Sequence, residues 1–268
     1  MKTTHDSHNS GFIIAQGSQR FSVDYKKVSP ESFLATSRLL QQIVRYRHLA
    51  KGVMLDVGCG TKPYAVLFHD QVSSHVGIDV PYSDHSHSEI DVYSTATKLP
   101  FRNESFDFVL CTEVLEHVDD PFSAYREISR VLKPGGRALL TTPFMYRVHE
   151  APYDFFRYTP FAHASLAEKN GLAIEAIAQR GGYFTVLADY LIKGLMLAFS
   201  TVGFLLYKAT GHGRRIALSA PVRWIMFAIQ LILVALLKNE RVKADTYTLG
   251  YLLILVKSAT EVNGLDNE

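Results

Sequence analysis

The chain has 268 residues, enough for one large domain and an appendage, and its 28 basic and 26 acidic side chains leave a net charge of +2. That imbalance is too small for nucleic-acid binding by bulk electrostatics. Two cysteines, Cys59 and Cys111, argue against a disulfide framework and for a reducing, cytoplasmic setting, and Met1 to Ser10 has no apolar core of the signal-peptide kind.

Residues 1–28 are polar and turn-rich apart from Phe12-Ile13-Ile14 and read as a flexible arm. Ser29-Pro30-Glu31 starts a helix with a hydroxyl cap, a proline in the first turn and an acid where the helix dipole favours one. Phe33, Leu34, Leu39, Leu40, Ile43 and Val44 give that helix an apolar face up to about Tyr46. Val53 to Val57 is a buried strand running into Gly58-Cys59-Gly60-Thr61, a turn whose glycines let a ligand approach the main chain. A short helix over Pro63 to His69 precedes a second strand, Val76 to Val80, with Asp79 near its end. The polar loop that follows contains Asp84-His85-Ser86-His87, but no further ligand pattern accompanies it, so no metal site is read.

Ile90 to Tyr93 is a short third strand and Phe106 to Cys111 a fourth. Asp120-Pro121 caps a helix carrying Phe122, Tyr125, Ile128 and Leu132 on one face, and Lys133-Pro134-Gly135-Gly136 stops it. Ala138 to Thr142 is a fifth strand, Thr159-Pro160 opens a helix to Asn170-Gly171, Leu172 to Ala178 is a sixth strand, and Thr248 to Lys257 a last one. Strands alternating with helices predict an α/β fold with a mostly parallel sheet covered on both faces.

In such a sheet the ligand lies beyond the carboxyl ends of the strands. The turn from Gly58 holds that place for the first strand, and Asp79, about twenty residues on, holds it for the second, where a carboxylate accepts hydrogen bonds from ribose hydroxyls. A dinucleotide fingerprint wants a third glycine, and here that position is Pro63; Asp56 would also repel a pyrophosphate. Both features speak against an NAD-dependent oxidoreductase, which stays as a rival reading.

Leu55-Asp56-Val57-Gly58-Cys59-Gly60 resembles the first motif of class I S-adenosylmethionine-dependent methyltransferases. Gly77-Ile78-Asp79 looks like their second motif, and Leu99-Pro100-Phe101 with Ser105-Phe106-Asp107 looks like the segment before strand four. Thr112 to Val118 and Arg130 to Gly136 look like later segments of the type 11 branch. The resemblance covers about Val53 to Ile177. It implies a Rossmann-like seven-stranded sheet, mostly parallel with an antiparallel last strand, and S-adenosyl-L-methionine as cofactor. It further implies that Asp56, Gly58, Cys59 and Gly60 surround the methionine part, that Asp79 holds the ribose, and that Thr112 and Glu113 line the pocket. Thr95 stands where the family often has an acid near the adenine amine.

The run His149 to Thr159 is dense in ionisable groups where this fold places its acceptor site, so His149, Glu150, Tyr153, Asp154 and Arg157 are the expected substrate residues. An oxygen or nitrogen acceptor calls for a general base near neutral pH, and His149 and His117 are the candidates. The expected acceptor is a small molecule, a glycan or a lipid-linked compound. A non-catalytic membrane adaptor on the same fold is the second rival.

Residues 183–244 read as an apolar helical hairpin inserted into the domain that the resemblance implies is a methyltransferase domain, expected over 29–182 with 245–258 and leaving 259–268 as a polar tail. Gly194 to Tyr207 and Trp224 to Leu237 are uncharged runs, each shorter than the ~20 residues of a spanning helix. The hairpin is expected to dip into the cytoplasmic face of a membrane, peripherally, or to pack in a soluble core or against a second copy in a homodimer; extended over Lys193 and Asp189, or over Arg223 and Pro221, a run reaches spanning length, and a true span is the third reading.

Overall fold

The computed structural model describes residues 13–15, 21–24, 26–81, 88–210, 220–237, 240 and 247–258. The chain divides into two compact units: Arg45–Ala178 with Gly250–Glu268, and Met1–Val44 with Gln179–Leu249.

The first unit is built on a seven-stranded sheet. Its strands are β3 (Val53–Val57), β4 (Ser74–Asp79), β5 (Val92–Tyr93), β6 (Phe106–Thr112), β7 (Leu132–Pro143), β8 (Leu172–Gln179) and β9 (Gly250–Lys257). They lie in the order β5-β4-β3-β6-β7-β9-β8. Strands β5, β4, β3, β6 and β7 pair in parallel, while β9 runs antiparallel to β7 from Arg137↔Val256 to Pro143↔Gly250. This is the Rossmann-like sheet expected from the sequence. The central strands read as continuous apolar runs because both of their faces are covered, and Met54, Leu55, Val109, Leu110, Leu139, Leu140, Leu253 and Ile254 have no exposed surface.

The strand order reverses between β3 and β6, so the carboxyl ends of β3 and β6 flank the switch point where such folds take ligands, with β4 next to β3. The short helix expected after the glycine turn is α2 (Ala65–Phe68). Helix α3 (Pro121–Val131) starts as its residues dictate: Asp120 Oδ1 accepts from Ser123 N at 3.0 Å and Pro121 fills the first turn. It buries Ala124, Tyr125, Ile128 and Val131. Helix α4 (Pro160–Lys169) is capped likewise by Thr159, whose hydroxyl accepts from Ala162 N.

Three expectations need correction here. The fifth strand starts earlier, at Leu132, because Lys133 to Gly136 loop out while the flanking residues stay paired to β6, Phe106↔Leu132 and Phe108↔Arg137. A side chain on Gly136 would meet Lys133 O at 2.8 Å, so the loop closes only around a glycine. The third strand is shorter than expected, Val92–Tyr93. The N-terminal arm holds a two-stranded antiparallel ribbon, β1 (Ile13–Ala15) on β2 (Phe21–Val23); its other residues up to 20 lie outside the described ones, as does the tail 259–268.

The second unit contains that ribbon with three helices, α1 (Phe33–Tyr46), α5 (Tyr183–Thr210) and α6 (Ala220–Leu236). Helix α1, grouped from sequence with the sheet, packs here with the apolar hairpin: Phe33 meets Phe227 edge-on at 5.6 Å, and Leu34, Ala188, Ile192 and Met226 form a small core. Helix α5 runs unbroken for 28 residues, longer than the uncharged run suggested, because Asp189 and Lys193 pair one turn apart inside it. Glu240 accepts from the backbone N–H groups of Gly182, Phe184 and Thr185, satisfying donors that the first turn of α5 leaves over.

Candidate active site

At the carboxyl ends of β3 and β4 lies a cleft of about 350 Å³, within the ~300–1,000 Å³ of small-molecule sites. Gly58, Asp79, Thr95, Glu113, His117, Glu150 and Tyr153 all line it. These residues lie as much as ninety-five positions apart in the sequence, and the sheet brings them to one place.

The turn after β3 is shaped by glycine. Gly58 has φ +69° and Gly60 φ +49°, a region L side chains avoid. A Cβ on Gly58 would also stand 2.3 Å from a methyl of Val114, so the cleft wall needs glycine on two counts. Gly60 does not itself line the cleft, but its N–H donates to Asp79 Oδ2 at 2.8 Å while Val80 N donates to Oδ1 at 2.7 Å. Two main-chain donors thus fix the Asp79 carboxylate at the end of β4, with its remaining acceptor capacity toward the cleft.

Asp56 and Cys59 lie behind this wall. Asp56 is 2 % exposed, and burial raises its pKa against the hydrogen bond from His75, whose Nε2 lies 3.0 Å from Oδ2. The Cys59 thiol is pushed up to about 12, first by burial and then by Asp56 and Asp79, so it is a packing group and no thiolate. Thr112 ends β6 and is also outside the lining. A clip that sequence reasoning missed holds the turn from the other side. Lys62 Nζ pairs with Asp91 Oδ2 at 2.6 Å, the same oxygen accepts from Gly77 N at 2.7 Å, and a Cβ on Gly77 would strike the Lys62 chain at 2.4 Å.

On the adenine side expected from sequence, Thr95 sits beside Ser94, Ala96 and Thr97, with its hydroxyl 3.1 Å from that of Thr97. Across the cleft, Glu113 adopts φ +54° and Glu150 φ +51°, conformations that cost non-glycine residues about 1–3 kcal/mol. Glu113 is held there by Thr141, which accepts its N–H and donates to its carboxylate at 2.8 Å. Two strained glutamates face one cleft, and no sequence pattern announces a positive φ outside glycine and asparagine.

The acceptor loop divides. Glu150 and Tyr153 reach the cleft; His149, Asp154 and Arg157 do not line it. Arg157 grips Asp154 with two hydrogen bonds of 2.6 and 2.8 Å and donates to Arg147 O, so this pair, expected among substrate contacts, shapes the loop because a carboxylate 2 % exposed needs its counterion. The guanidinium holds the Asp154 carboxyl well below the usual carboxylate range. Asp154 in turn accepts from His149 N. His117 lies on the short turn Leu115–His117, which the loop clasps: Phe155 N donates to Glu116 O and Tyr158 Oη to Leu115 O. Val114, Val118 and Asp119 complete this wall; their signal was position, the stretch between strand four and the Asp120 cap.

Residues 55–140 match the family model of the methyltransferase domain, type 11. A ubiquinone biosynthesis O-methyltransferase of Aliivibrio fischeri is 33% identical over 100 residues, 33% of this chain and 43% of that protein. An uncharacterised protein of Methanocaldococcus jannaschii is 31% identical over 94 residues, 35% of this chain and 46% of the other. The matches span less than half the length of these curated relatives. Among solved structures, the [4+2]-cyclase SpnF aligns with a TM-score of 0.52 and 21% identity over 87% of this chain and 84% of its own, a likeness of fold.

Proposed function

We propose that this chain, which carries a class I methyltransferase domain of the type 11 family, transfers a methyl group from S-adenosylmethionine to an oxygen of a small-molecule acceptor. The observation that carries the reading is the cleft itself, in which Asp79 and the Gly58 turn face Glu113, His117, Glu150 and Tyr153. The residues fit the cofactor. Asp79 offers carboxylate lone pairs to a diol, Gly58 leaves room for close approach of the main chain, and the hydroxyls of Ser94, Thr95 and Thr97 can accept from an exocyclic amine.

Bound there, the cofactor supplies a methyl carbon on a positively charged sulfur, so direct displacement needs mainly proximity and alignment. The chain's own task is to bring an acceptor lone pair to that carbon and take up the acceptor's proton. With Asp79 assigned to the cofactor, the proton-accepting atoms on the cleft wall are the carboxylates of Glu113, Asp119 and Glu150 and a ring nitrogen of His117. Oxygen is favoured over nitrogen by the relatives named for ubiquinone biosynthesis O-methylation. The family match supports this reading over the oxidoreductase and the adaptor.

Calorimetry with S-adenosylhomocysteine tests the site. Asp79→Ala is expected to weaken binding tenfold or more, and an unchanged affinity would refute the assignment.

The apolar helices bear on the acceptor's class. A chain held to a lipid surface meets membrane-borne acceptors at raised effective concentration, so a lipid-linked or hydrophobic acceptor fits the exposed apolar faces of α5 and α6.

A further inference from the structure

At the His117 side of the cleft wall, one ligand atom each of Glu116, His117 and His149 lies within 4.8 Å of the others. The two rings stand edge to face with centroids 4.7 Å apart. His117 Nε2 is 3.9 Å from Glu116 Oε1 and 3.7 Å from Glu150 Oε2. The carboxylate of Glu116 has no exposed surface, and both histidines are mostly buried.

The ring protons can be placed. His117 Nδ1 lies 2.8 Å from the carbonyl oxygen of Tyr153, which can only accept, so Nδ1 carries a hydrogen and Nε2 is the nitrogen left to bind a cation. His149 Nδ1 lies 3.2 Å from Asp154 Oδ2; the ionised carboxylate also only accepts, which leaves Nε2 as the second such nitrogen. The more distant Arg157 Nη2, at 3.5 Å, serves Asp154 first. A carbonyl or carboxylate on the far ring nitrogen is the arrangement that orients metal-binding histidines.

We propose that Glu116, His117 and His149 form a site for a divalent transition-metal cation, and that the ion presents its open positions to the acceptor's oxygen. Two imidazole nitrogens and a carboxylate converging on one point make a donor set that a divalent cation can bridge. With bonds of about 2.0–2.2 Å, two ligands on a tetrahedral ion stand about 3.4 Å apart, so drawing a trio that lies within 4.8 Å onto an ion closes its widest separation by about 1.4 Å at most, within the reach of side-chain rotation. Two nitrogens and one carboxylate suit Mn²⁺, Fe²⁺, Co²⁺ or Zn²⁺ better than an all-oxygen ion such as Ca²⁺. Glu150, 55 % exposed, is within reach as a fourth ligand.

The site's existence follows from this geometry alone; its role rests on the methyl-transfer reading. An acceptor hydroxyl on the ion loses its proton more readily. Its oxygen then forms the bond to the methyl carbon as the carbon–sulfur bond breaks, the electron pair stays on sulfur, and the proton passes to Glu113 or solvent. His117 and His149, expected from sequence as bases, are in this scheme ligands.

The test is a Co²⁺ titration of the metal-stripped full-length chain in detergent, read by visible absorption and competed with Zn²⁺. One equivalent with a ligand-field band is expected, and His149→Ala and the near-isosteric Glu116→Gln are each expected to weaken Co²⁺ binding tenfold or more. No band in the wild type, or a band unchanged in either variant, overturns the site. So does loss of the band in His85→Ser/His87→Ser, which would place the ion on the histidine-bearing loop. S-adenosylhomocysteine binding to the metal-free protein, measured in parallel, reports folding of each variant and separates the two readings. A wild type that binds Co²⁺ but no cofactor product refutes the transferase reading and leaves the ion site standing.

Discussion

His163 shows how much a single buried side chain commits the fold to a pH range. It has no exposed surface, its Nδ1 lies 2.6 Å from Tyr125 Oη, and its Nε2 lies 2.9 Å from Thr142 Oγ1. Burial lowers its pKa from 6.5 to about 3, so the folded chain keeps the ring neutral. The unfolded chain binds a proton that the folded one refuses between these values. The histidine's contribution is therefore whole above pH 6.5 and falls as pH drops, by about 1.4 kcal/mol per unit, until about pH 3. Between pH 7 and 5 the wild type should lose about 2 kcal/mol more unfolding free energy than His163→Gln. Urea denaturation at the two pH values checks this, and parallel losses in both proteins would refute it. The sequence marked His163 only as one position in a capped helix. Its neutrality comes from burial, and its hydrogen-bond partners Tyr125 and Thr142 lie 38 and 21 residues away, where no local pattern joins them to it. Asp79 was legible for the opposite reason, since a strand end followed by a loop fixes where its carboxylate goes.

Elements were legible wherever local chemistry decided them. Strand β3, the Asp120 and Thr159 caps and the glycine turn follow from their own residues. Helix α1 does not: its apolar face could pack on any partner, and the partner is settled by one polar residue far along the chain. Gln230, the exception in the apolar run of α6, has no exposed surface; its Oε1 accepts from Leu34 N at 3.1 Å and its amide nitrogen donates to Pro30 O. It thereby serves one of the donors that the first turn of α1 leaves over. Gln230→Leu keeps the volume and strands two buried main-chain groups, a cost of about 1–3 kcal/mol. Hydrogen exchange at the Leu34 amide is expected to quicken in this variant, and wild-type protection there would show that the glutamine is dispensable to the start of α1.

At the scale of the molecule, the central strands of the sheet unit bury their apolar residues, and helices α5 and α6 of the other unit display many of theirs. Leu197, Phe204 and Leu205 on α5 are 68, 53 and 58 % exposed, as are Ile232 and Leu236 on α6 at 59 and 73 %. The span Tyr183–Ala209 is long and apolar enough to cross a membrane, and only 12% of its most apolar window is buried, whereas the core helix of a soluble protein would be mostly covered. At 1.5 Å per residue α5 extends about 42 Å against a hydrocarbon core of about 30 Å, whereas α6, with 17 residues, reaches about 25 Å. Composition alone could not separate lipid from a second copy as the cover, because both reward apolar surface. Exposure on several sides of α5 favours lipid, since a partner helix covers one stripe and a bilayer covers all. The chain is therefore expected to sediment with membranes, to resist alkaline carbonate and to enter solution with detergent. Leu197→Lys, a charge costing about 2.5–3.5 kcal/mol at a helix centre in the bilayer, combined with Leu205→Lys nearer the helix end, should shift it toward the carbonate supernatant. A wild-type monomer in the high-speed supernatant without detergent would refute membrane association, and a dimer there would assign the same faces to a second copy.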